Sequence, residues 1–336
     1  MNIREFDYRP YRRSFLAPLQ TAHGTWTVRE GFIVRVVTSG GRTGYGEVAP
    51  LPSFGTESLE SAESFLRGLR ADPARAVGEL PPDHPCGAFA LSAAVRQIEG
   101  TIPPEKSYPV AGLLPAGAAA LQHLPDLAAA GYRTFKWKIG VGPVEDECAM
   151  FGQLVALLPQ GGKVRLDANA GLDEAGLDAW LEALRPYSAS VDFIEQPMRA
   201  GREVEMRRAG ERSGIAIALD ESLNGRRGSD WLAPGAWDGP LVIKPALMGD
   251  CRKLVEHLRA VAPQVVVSSV FETVVGMANV LSVLDDCELV NRAVGMDTLR
   301  YFNDGLNPLA AGPELGSGLF SGAILSDVWK ELPHLS

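Results

Sequence analysis

A repeated alternation of short apolar runs and amphipathic stretches fills the chain from about residue 108 onward. The apolar runs are YPVAGLL, RTFKWKIG, KVRLDAN, VDFIEQP, AIALDES, PLVIKP and QVVVSSV. Most are followed by a stretch with helical spacing, such as VEDECAMFGQLVALLP, in which Phe151, Leu154 and Leu158 share one face. Strand–helix units of roughly 25 to 30 residues are typical of parallel βα repeats. The alternation therefore predicts an α/β fold with a parallel sheet.

The number of units decides between two parallel architectures. Seven strands and a weaker eighth near CELVNRAVG fit a closed barrel better than an open sheet. An open doubly wound sheet is the second possibility, but no GxGxxG motif follows the first predicted strand. We therefore predict a modified (β/α)7β TIM-like barrel over residues 101–302.

The first hundred residues have a different pattern, which predicts a separate α+β domain over residues 1–100. REGFIVRVVTSGGRTGYGEVAP contains two strand-like runs around a turn at Ser39, and TESLESAESFLRGLRADP begins with a helix-capping pattern. Residues 303–336 lose the alternation, and we expect them to pack back on this domain. PLQTAHGTWTVREG and EVAPLPSFGTES are Gly- and Pro-punctuated loops, which we expect to cover the mouth of the barrel.

Composition and charge restrict the partners and the compartment. The 336 residues are 46% hydrophobic and 22% charged, with no apolar run long enough for a membrane span. The net charge of −9 argues against nucleic acid or an anionic membrane as partner. The N-terminus MNIREFDYRP lacks an apolar leader, and the four cysteines are scattered, so we expect a cytoplasmic protein. Nothing in the sequence indicates an oligomeric partner.

Charged and polar side chains stand at the carboxyl end of nearly every predicted barrel strand, where a barrel has its catalytic face. A single Asp at a strand end is usually a helix cap or a turn residue, but three successive strands here each deliver a carboxylate. In chain order these residues are Lys136, Lys138, Asp167, Asn169, Glu195, Asp220, Glu221, Lys244, Ser268 and Ser269.

Three carboxylates at one rim predict a divalent cation. Hard oxygen donors favour Mg²⁺, with Mn²⁺ as a possible substitute, and no His or Cys is placed to favour zinc. Three separate ion pairs with the neighbouring lysines are the alternative.

The stretch TFKWKIG places Lys136 and Lys138 on the same face of a strand. A neighbouring ammonium group and a metal ion lower the pKa of a lysine from about 10.4 toward about 7 to 8. Such an amine suits the removal of a proton α to a carboxylate, and the resulting enediolate needs a nearby cation. We expect Lys136 to lower the pKa of Lys138, Lys138 to exchange the proton, and Lys244 to complete the enclosure of the anion.

The motifs KWK, LDAN, IEQP, LDES and IKP, in this order, resemble the muconate-lactonizing subgroup of the enolase superfamily over nearly the whole chain. This resemblance implies an α+β capping domain, a (β/α)7β barrel and an enediolate stabilised by Mg²⁺. By the resemblance, Asp167, Glu195 and Asp220 are the metal ligands, Asn169 supports them, and Lys138 is the catalytic acid and base.

Finer features, VIKPALMGD, VVSSVFETVVGMANVL and AVGMDTLRYF, are similar to the o-succinylbenzoate synthase family. That similarity implies dehydration of a small-molecule carboxylate, 2-succinyl-6-hydroxy-2,4-cyclohexadiene-1-carboxylate, in menaquinone and phylloquinone biosynthesis. In the implied mechanism Lys138 removes the α-proton and returns it to the hydroxyl that leaves from the same side. Lys244 stabilises the enediolate by its charge.

Four further residues carry weaker expectations. Arg165 has the strand parity of a rim residue, and the resemblance suggests a role near the substrate; packing beneath the rim is the alternative. Ser268 and Ser269 end the seventh strand, where their hydroxyls are either donors to a succinyl carboxylate or simply turn residues. Glu221 is expected behind the metal ligands, because its strand parity opposes that of Asp220.

Other activities of the superfamily stay open. An N-succinylamino-acid racemase needs a working base on each face of the α-carbon, so Lys244 would have to titrate as well as Lys138. Dipeptide epimerases use an Asp-x-Asp pair on the eighth strand, and Asp297 stands alone here. A barrel that binds an anion and a metal without turnover is the remaining alternative.

Overall fold

The computed structural model describes residues 1–21, 24–78, 80–100, 106–224, 228–287, 292–316 and 320–334. His23, in the first predicted lid loop, lies outside the described residues, as do residues 288–291 of the predicted eighth strand. No helix in the described ranges combines the length and the apolar character that crossing a bilayer requires.

The N-terminal region is the predicted α+β unit. An antiparallel sheet of order β1-β2-β3 is followed by two helices. The elements are β1 (Ile3–Thr21), β2 (Gly24–Thr38), β3 (Thr43–Val48), α1 (Leu59–Ala71) and α2 (Pro85–Glu99). The hairpin between β2 and β3 turns at residues 39–40, as the sequence predicts.

Helix α2 joins this sheet to the barrel. On one side it lies directly on β3, because Gly44 and Gly46 have no Cβ to collide with the carbonyls of Ala94 and Ala90. On the other side the Ser92 hydroxyl accepts a hydrogen bond of 2.9 Å from the amide of Cys251, at the start of a barrel helix.

The remaining chain forms the strand–helix repeats. The barrel strands are β5 (Ala111–Leu114), β6 (Thr134–Lys138), β7 (Lys163–Asp167), β8 (Val191–Glu195), β9 (Ile217–Ala218), β10 (Leu241–Ile243) and β11 (Val265–Val267). The helices between and after them are α3 (Ala119–Ala129), α4 (Val144–Ala156), α5 (Glu174–Leu184), α6 (Glu203–Ser213), α7 (Cys251–Ala260) and α8 (Val274–Cys287). Between β9 and β10, the described residues form short 3₁₀ turns instead of an α-helix.

The parallel strands close into a barrel. Strands β5 to β9 form one sheet and β10 pairs with β11. Isolated parallel bridges complete the circle by joining Leu219 to Leu241, Ser268 to Gly295 and Val110 to Val294. Residues 294–295, at the end of the stretch CELVNRAVG, therefore close the circle where the eighth strand was predicted, and the closed barrel is confirmed over the open sheet.

The alternation predicted for TFKWKIG holds in β6. Phe135 and Trp137 are fully buried on the helix side, where Trp137 meets Trp180 of α5 edge-on at 6.2 Å between ring centroids. Lys136 and Lys138 are half-buried on the opposite face. Apolar packing of the odd-numbered side chains thus directs both lysines into the barrel.

The C-terminal segment returns to the N-terminal sheet. Strand β12 (Glu314–Gly316) pairs with β4 (Ser107–Pro109) outside the barrel, and α9 (Gly322–Glu331) follows. Trp329 of α9 packs against Tyr45, and the Trp329 carbonyl accepts a hydrogen bond of 2.7 Å from Arg9. These contacts agree with the expected return of residues 303–336, while the exact domain limits stay a prediction.

A buried carboxylate of the N-terminal sheet caps a barrel helix. Glu47 of β3 is 1% exposed and lies at the start of α8. It accepts hydrogen bonds of 2.9 Å from the amides of Thr273 and Gly276 and one of 2.6 Å from the Tyr11 hydroxyl. Because a helix N-terminus has unpaired amides and a partial positive charge, this carboxylate stabilises the contact between the two domains.

Replacement of Glu47 by Ala should lower the free energy of unfolding by about 2 to 4 kcal/mol, because it leaves buried donors without an acceptor. Urea unfolding followed by circular dichroism measures the change. The control is Glu63→Ala, which removes a surface ion pair with Arg67 and should cost about 0.5 kcal/mol or less. Equal losses in the two variants would contradict the capping role.

Candidate active site

A cavity of about 540 Å³ opens at the carboxyl ends of the barrel strands. Eight of the ten predicted site residues line it: Lys136, Lys138, Asp167, Asn169, Asp220, Lys244, Ser268 and Ser269. The other two, Glu195 and Arg165, are almost completely buried, at 1% and 2% exposure. The fold therefore brings the strand-end residues to one place, as the alternation predicts.

Lys136 lies between two of the predicted metal ligands. Its Nζ is 2.9 Å from Asp167 Oδ2 and 2.8 Å from Glu195 Oε1. Burial lowers the pKa of Lys136, but the two carboxylates outweigh that effect, and the net pKa lies above its ordinary value. Burial and the charge of Asp167 raise the pKa of Glu195 in turn.

Lys244 approaches from the opposite wall. Its ammonium group forms an ion pair with Asp220, and its Nζ lies 5.5 Å from the centre of the Phe54 ring. Burial, together with the charge of Lys136, lowers the pKa of Lys244 to about 8, although Glu195 opposes the shift. Lys244 is thus placed to balance negative charge on the side of the cavity away from β6.

Lys138 differs from Lys136 and Lys244, which both form ion pairs. It lines the cavity at the end of β6, and within the described residues its Nζ makes no hydrogen bond or ion pair. An amine with no protein partner is available to a ligand in the cavity. Of the three cavity lysines, Lys138 is the one whose nitrogen the described protein leaves unoccupied.

Asp220 and Glu221 both line the cavity, so the parity argument that placed them on opposite sides is wrong, and the position of Glu221 behind the metal ligands stays a prediction. Strand β9 ends at Ala218 and a 3₁₀ turn begins at Glu221, so strand parity does not apply to these residues. Glu221 Oε1 is 3.4 Å from the Asn169 amide nitrogen, and Glu221 Oε2 is buried without a hydrogen-bond partner. Burial, with Asp167 and Glu195, raises the pKa of Glu221 to about 7.

The donor set fits a hard divalent cation. Four carboxylates, those of Asp167, Glu195, Asp220 and Glu221, meet three lysines here, and one carboxylate oxygen is buried without a partner. No three His, Cys, Asp or Glu side chains in the described chain are arranged as a finished metal-binding group. Two of the lysines instead pair with Asp167, Glu195 and Asp220. The fit therefore rests on the carboxylate oxygens, which are hard ligands, and on the carboxylates outnumbering the lysines.

Arg165 does not line the cavity. Its Nε donates to Asp192 Oδ2 at 2.9 Å, and its guanidinium lies over the Phe193 ring. A residue two positions before Asp167 on the same strand lies about 7 Å deeper in the barrel. The expected role near the substrate is corrected in favour of the alternative, packing beneath the rim.

The two serines at the end of β11 have different surroundings. The Ser269 hydroxyl donates its proton to the buried Glu272 carboxylate and accepts a hydrogen bond of 2.9 Å from the Phe271 amide. Within the described residues, the Ser268 hydroxyl makes one long hydrogen bond, of 3.4 Å, to the Gly295 carbonyl. Since a hydroxyl has one proton to donate, Ser268 is better placed than Ser269 to bind an anion.

Both predicted lid segments of the N-terminal domain reach the cavity. The first supplies Leu19 and Trp26, which are paired residues of β1 and β2, so this segment is part of a strand pair and not the expected loop. The second supplies Leu51 and Phe54. Phe271 also lines the cavity, which no sequence pattern predicted. Phe271 has a φ of +65° and packs edge-on against Trp26 and Tyr301. Its position in an ordinary apolar run, SSVFETVV, gave no signal of this role.

Comparison with known proteins assigns the family. Residues 11–98 match the family described as MenC, N-terminal domain, and residues 119–283 match the family Enolase C-terminal domain-like. The o-succinylbenzoate synthase of Thermosynechococcus vestitus is 33% identical over 286 residues, which are 83% of this chain and 88% of that protein. The chain belongs to the o-succinylbenzoate synthase family.

Solved structures agree with this family and its barrel. The o-succinylbenzoate synthase from Thermosynechococcus elongatus BP-1, complexed with Mg in the active site, aligns with a TM-score of 0.84. It is 29% identical, and the alignment covers 98% of this chain and 100% of that one. The L-Ala-D/L-Glu epimerase from Bacillus subtilis aligns with a TM-score of 0.74 over 94% and 96% of the two chains. At 18% identity, the epimerase shows the shared fold alone.

In this member of the o-succinylbenzoate synthase family, the lone Asp297 is fully occupied. It is 2% exposed and accepts hydrogen bonds from the Leu113 amide and the Tyr132 hydroxyl, both at 3.0 Å. Arg300 forms an ion pair with it at 2.8 Å. A carboxylate with these partners is not free to bind the ammonium group of a dipeptide.

Proposed function

We propose that this chain is an o-succinylbenzoate synthase. It removes water from 2-succinyl-6-hydroxy-2,4-cyclohexadiene-1-carboxylate in menaquinone or phylloquinone biosynthesis. The observation that carries the proposal is the position of Lys138. Its amine has no partner among the described residues and faces the same cavity as Asp167, Asp220 and Lys244.

Each group has a defined role in this dehydration. Asp167, Glu195 and Asp220 would hold Mg²⁺, which would supply positive charge beside the substrate carboxylate. Lys138 removes the α-proton and, as an ammonium group, returns it to the hydroxyl that leaves from the same face. Lys244 balances the negative charge from the opposite wall.

Replacement of Lys244 by Ala should lower kcat by about 10²- to 10³-fold, because charge stabilisation in a dry cavity is a large part of such catalysis. Steady-state kinetics with the cyclohexadiene carboxylate measure the effect. The matched control is Lys253→Ala, which removes an exposed lysine from α7 and should leave kcat unchanged. A Lys244→Ala enzyme with more than a tenth of the normal kcat would contradict the assigned role.

A paired assay tests the proposed activity against the racemase and the silent barrel. The purified protein is given the cyclohexadiene carboxylate in one experiment and an N-succinyl amino acid in deuterated water in another. Formation of o-succinylbenzoate from the first compound, with no deuterium at the α-carbon of the N-succinyl amino acid, supports the synthase. Fast deuterium exchange without dehydration selects the racemase, and no reaction with either compound selects the silent barrel.

We propose a cytoplasmic location and a small-molecule carboxylate as the natural ligand. The four cysteines, all described, are free thiols, as expected in a reducing compartment. Localisation of the tagged protein by cell fractionation tests the compartment.

A further inference from the structure

The residue after Glu195 is an unusual glutamine. Gln196 is completely buried and has a φ of +37°, a backbone conformation that is costly for a side chain with a Cβ. The other positive φ values nearby, at Asn169 and Ala170, also follow a barrel strand that ends in a predicted metal ligand. Strain of this kind persists when the surrounding contacts hold the residue in place.

The Gln196 side chain uses its full hydrogen-bonding capacity. Its Oε1 accepts from the amides of Asp220 and Ser222, at 2.9 and 3.1 Å. Its Nε2 donates to the Met198 carbonyl at 2.9 Å and to the Ser222 hydroxyl at 2.8 Å. Two amide donors on one side and a carbonyl acceptor on the other define the orientation of the side-chain amide.

The Gln196 backbone connects the end of β8 to the two neighbouring strands, β7 and β9. Its amide donates to the Ala218 carbonyl of β9 at 2.9 Å, and its carbonyl accepts from the Ala170 amide, beyond β7, at 2.7 Å. One residue therefore links the ends of β7, β8 and β9. Those three strand ends are the ones that lead to Asp167, Glu195 and Asp220.

The backbone position of Asp220 depends most on Gln196. Strand β9 is two residues long and ends before Asp220, so the Asp220 amide has no partner in the strand ladder. That amide donates to Gln196 Oε1 instead. A side chain anchored next to Glu195 thus takes the place of the strand that would otherwise hold the Asp220 backbone.

We propose that Gln196 is a positioning residue that sets the spacing of Glu195 and Asp220 for the divalent cation. The inference rests on the proposed function, in which these carboxylates hold Mg²⁺. Residues behind metal ligands orient them, and their loss typically lowers metal affinity by about 10- to 100-fold. A glutamine suits the position because its side-chain amide accepts from two backbone amides through Oε1 and donates two hydrogen bonds through Nε2.

The test measures metal affinity directly, without turnover. Mn²⁺ is titrated into the protein and the electron paramagnetic resonance signal of the free ion is recorded, with Mg²⁺ as competitor. Gln196→Met keeps the length of the side chain but removes its hydrogen bonds. The affinity for both ions should fall by about 10-fold or more. The matched control is Ser92→Ala, which removes a buried hydrogen bond between α2 and α7 and should leave metal affinity unchanged. Thermal unfolding of both variants separates stability from affinity.

An Asp220→Asn variant in the same titration separates the two levels of the proposal. Weak Mn²⁺ binding by both the Asp220→Asn and the Gln196→Met variant supports the positioning role. Weak binding in Asp220→Asn with normal binding in Gln196→Met overturns this inference alone, whereas normal binding in Asp220→Asn overturns the proposed metal site. If Gln196→Met does not fold, Gln196→Asn carries the same expectation, because its shorter side chain cannot span to the Asp220 amide. Failure of both variants to fold would reject a specific positioning role.

Discussion

Replacement of Lys138 by Ala is expected to lower kcat by about 10⁴-fold or more. In the proposed dehydration one amine removes the α-proton and then protonates the departing hydroxyl, and each such transfer is worth about 10²- to 10⁴-fold. Lys138 Nζ makes no hydrogen bond or ion pair within the described chain, so its loss should leave the fold and the other lysine pairs intact. Continuous detection of o-succinylbenzoate measures the rate, and Mn²⁺ titration checks that the metal still binds.

A second substitution at Lys138 distinguishes a role in proton transfer from a role as a fixed positive charge. Lys138→Arg keeps a positive charge at the end of β6, but a guanidinium group does not lose its proton in a protein. The Arg enzyme should therefore be about as inactive as the Ala enzyme. If the Arg enzyme retained more than a tenth of the normal kcat, Lys138 would be contributing charge alone, and the assigned base would be wrong.

Removal of the divalent cation is expected to abolish dehydration, and Mg²⁺ should restore it. Three carboxylates line the cavity and a fourth, Glu195, is buried beside them, so a substrate that gains negative charge develops it close to acidic side chains. A divalent cation contributes several kcal/mol of charge stabilisation to such a step, which corresponds to a loss of about 10⁴-fold or more without it.

Dialysis against EDTA followed by addition of metal gives the measurement. Mg²⁺ should restore the full rate and Mn²⁺ part of it, while Zn²⁺ should not, since the described cavity lining contains no His or Cys. An enzyme that turns over in excess EDTA, with no metal detected by elemental analysis, would contradict the cofactor assignment.

The barrel and most of its site were predictable because both depend on local patterns. The strand–helix alternation decides the fold, and the carboxyl ends of parallel strands meet at one face whatever the details of packing. Lys136, Lys138, Asp167 and Lys244 therefore line one cavity, as their places at strand ends predict. The two punctuated segments of the N-terminal domain reach the same cavity, since they belong to a domain that lies over the mouth.

The errors occur where a strand is too short or a side chain too deep for the pattern to apply. Parity placed Glu221 behind Asp220, but β9 ends before both, and the following 3₁₀ turn brings both carboxylates to the cavity. Arg165 has the correct parity and still lies too deep to reach it, because parity gives the face of a strand and not the height along it. The commitment of the Ser269 hydroxyl to Glu272 likewise depends on a contact that no spacing predicts.

The order of residues along the chain alone determined that three acidic groups and three lysines arrive at one rim, since each lies at or just after the carboxyl end of a strand in the repeat. Only the tertiary structure decided which of these charges pair with each other, that Lys138 lacks a partner within the described residues, and that Gln196 links three strand ends. The physical reason is that periodicity fixes the direction of a side chain within one element. Pairing, depth and hydrogen-bond saturation depend on distances between elements, which packing sets.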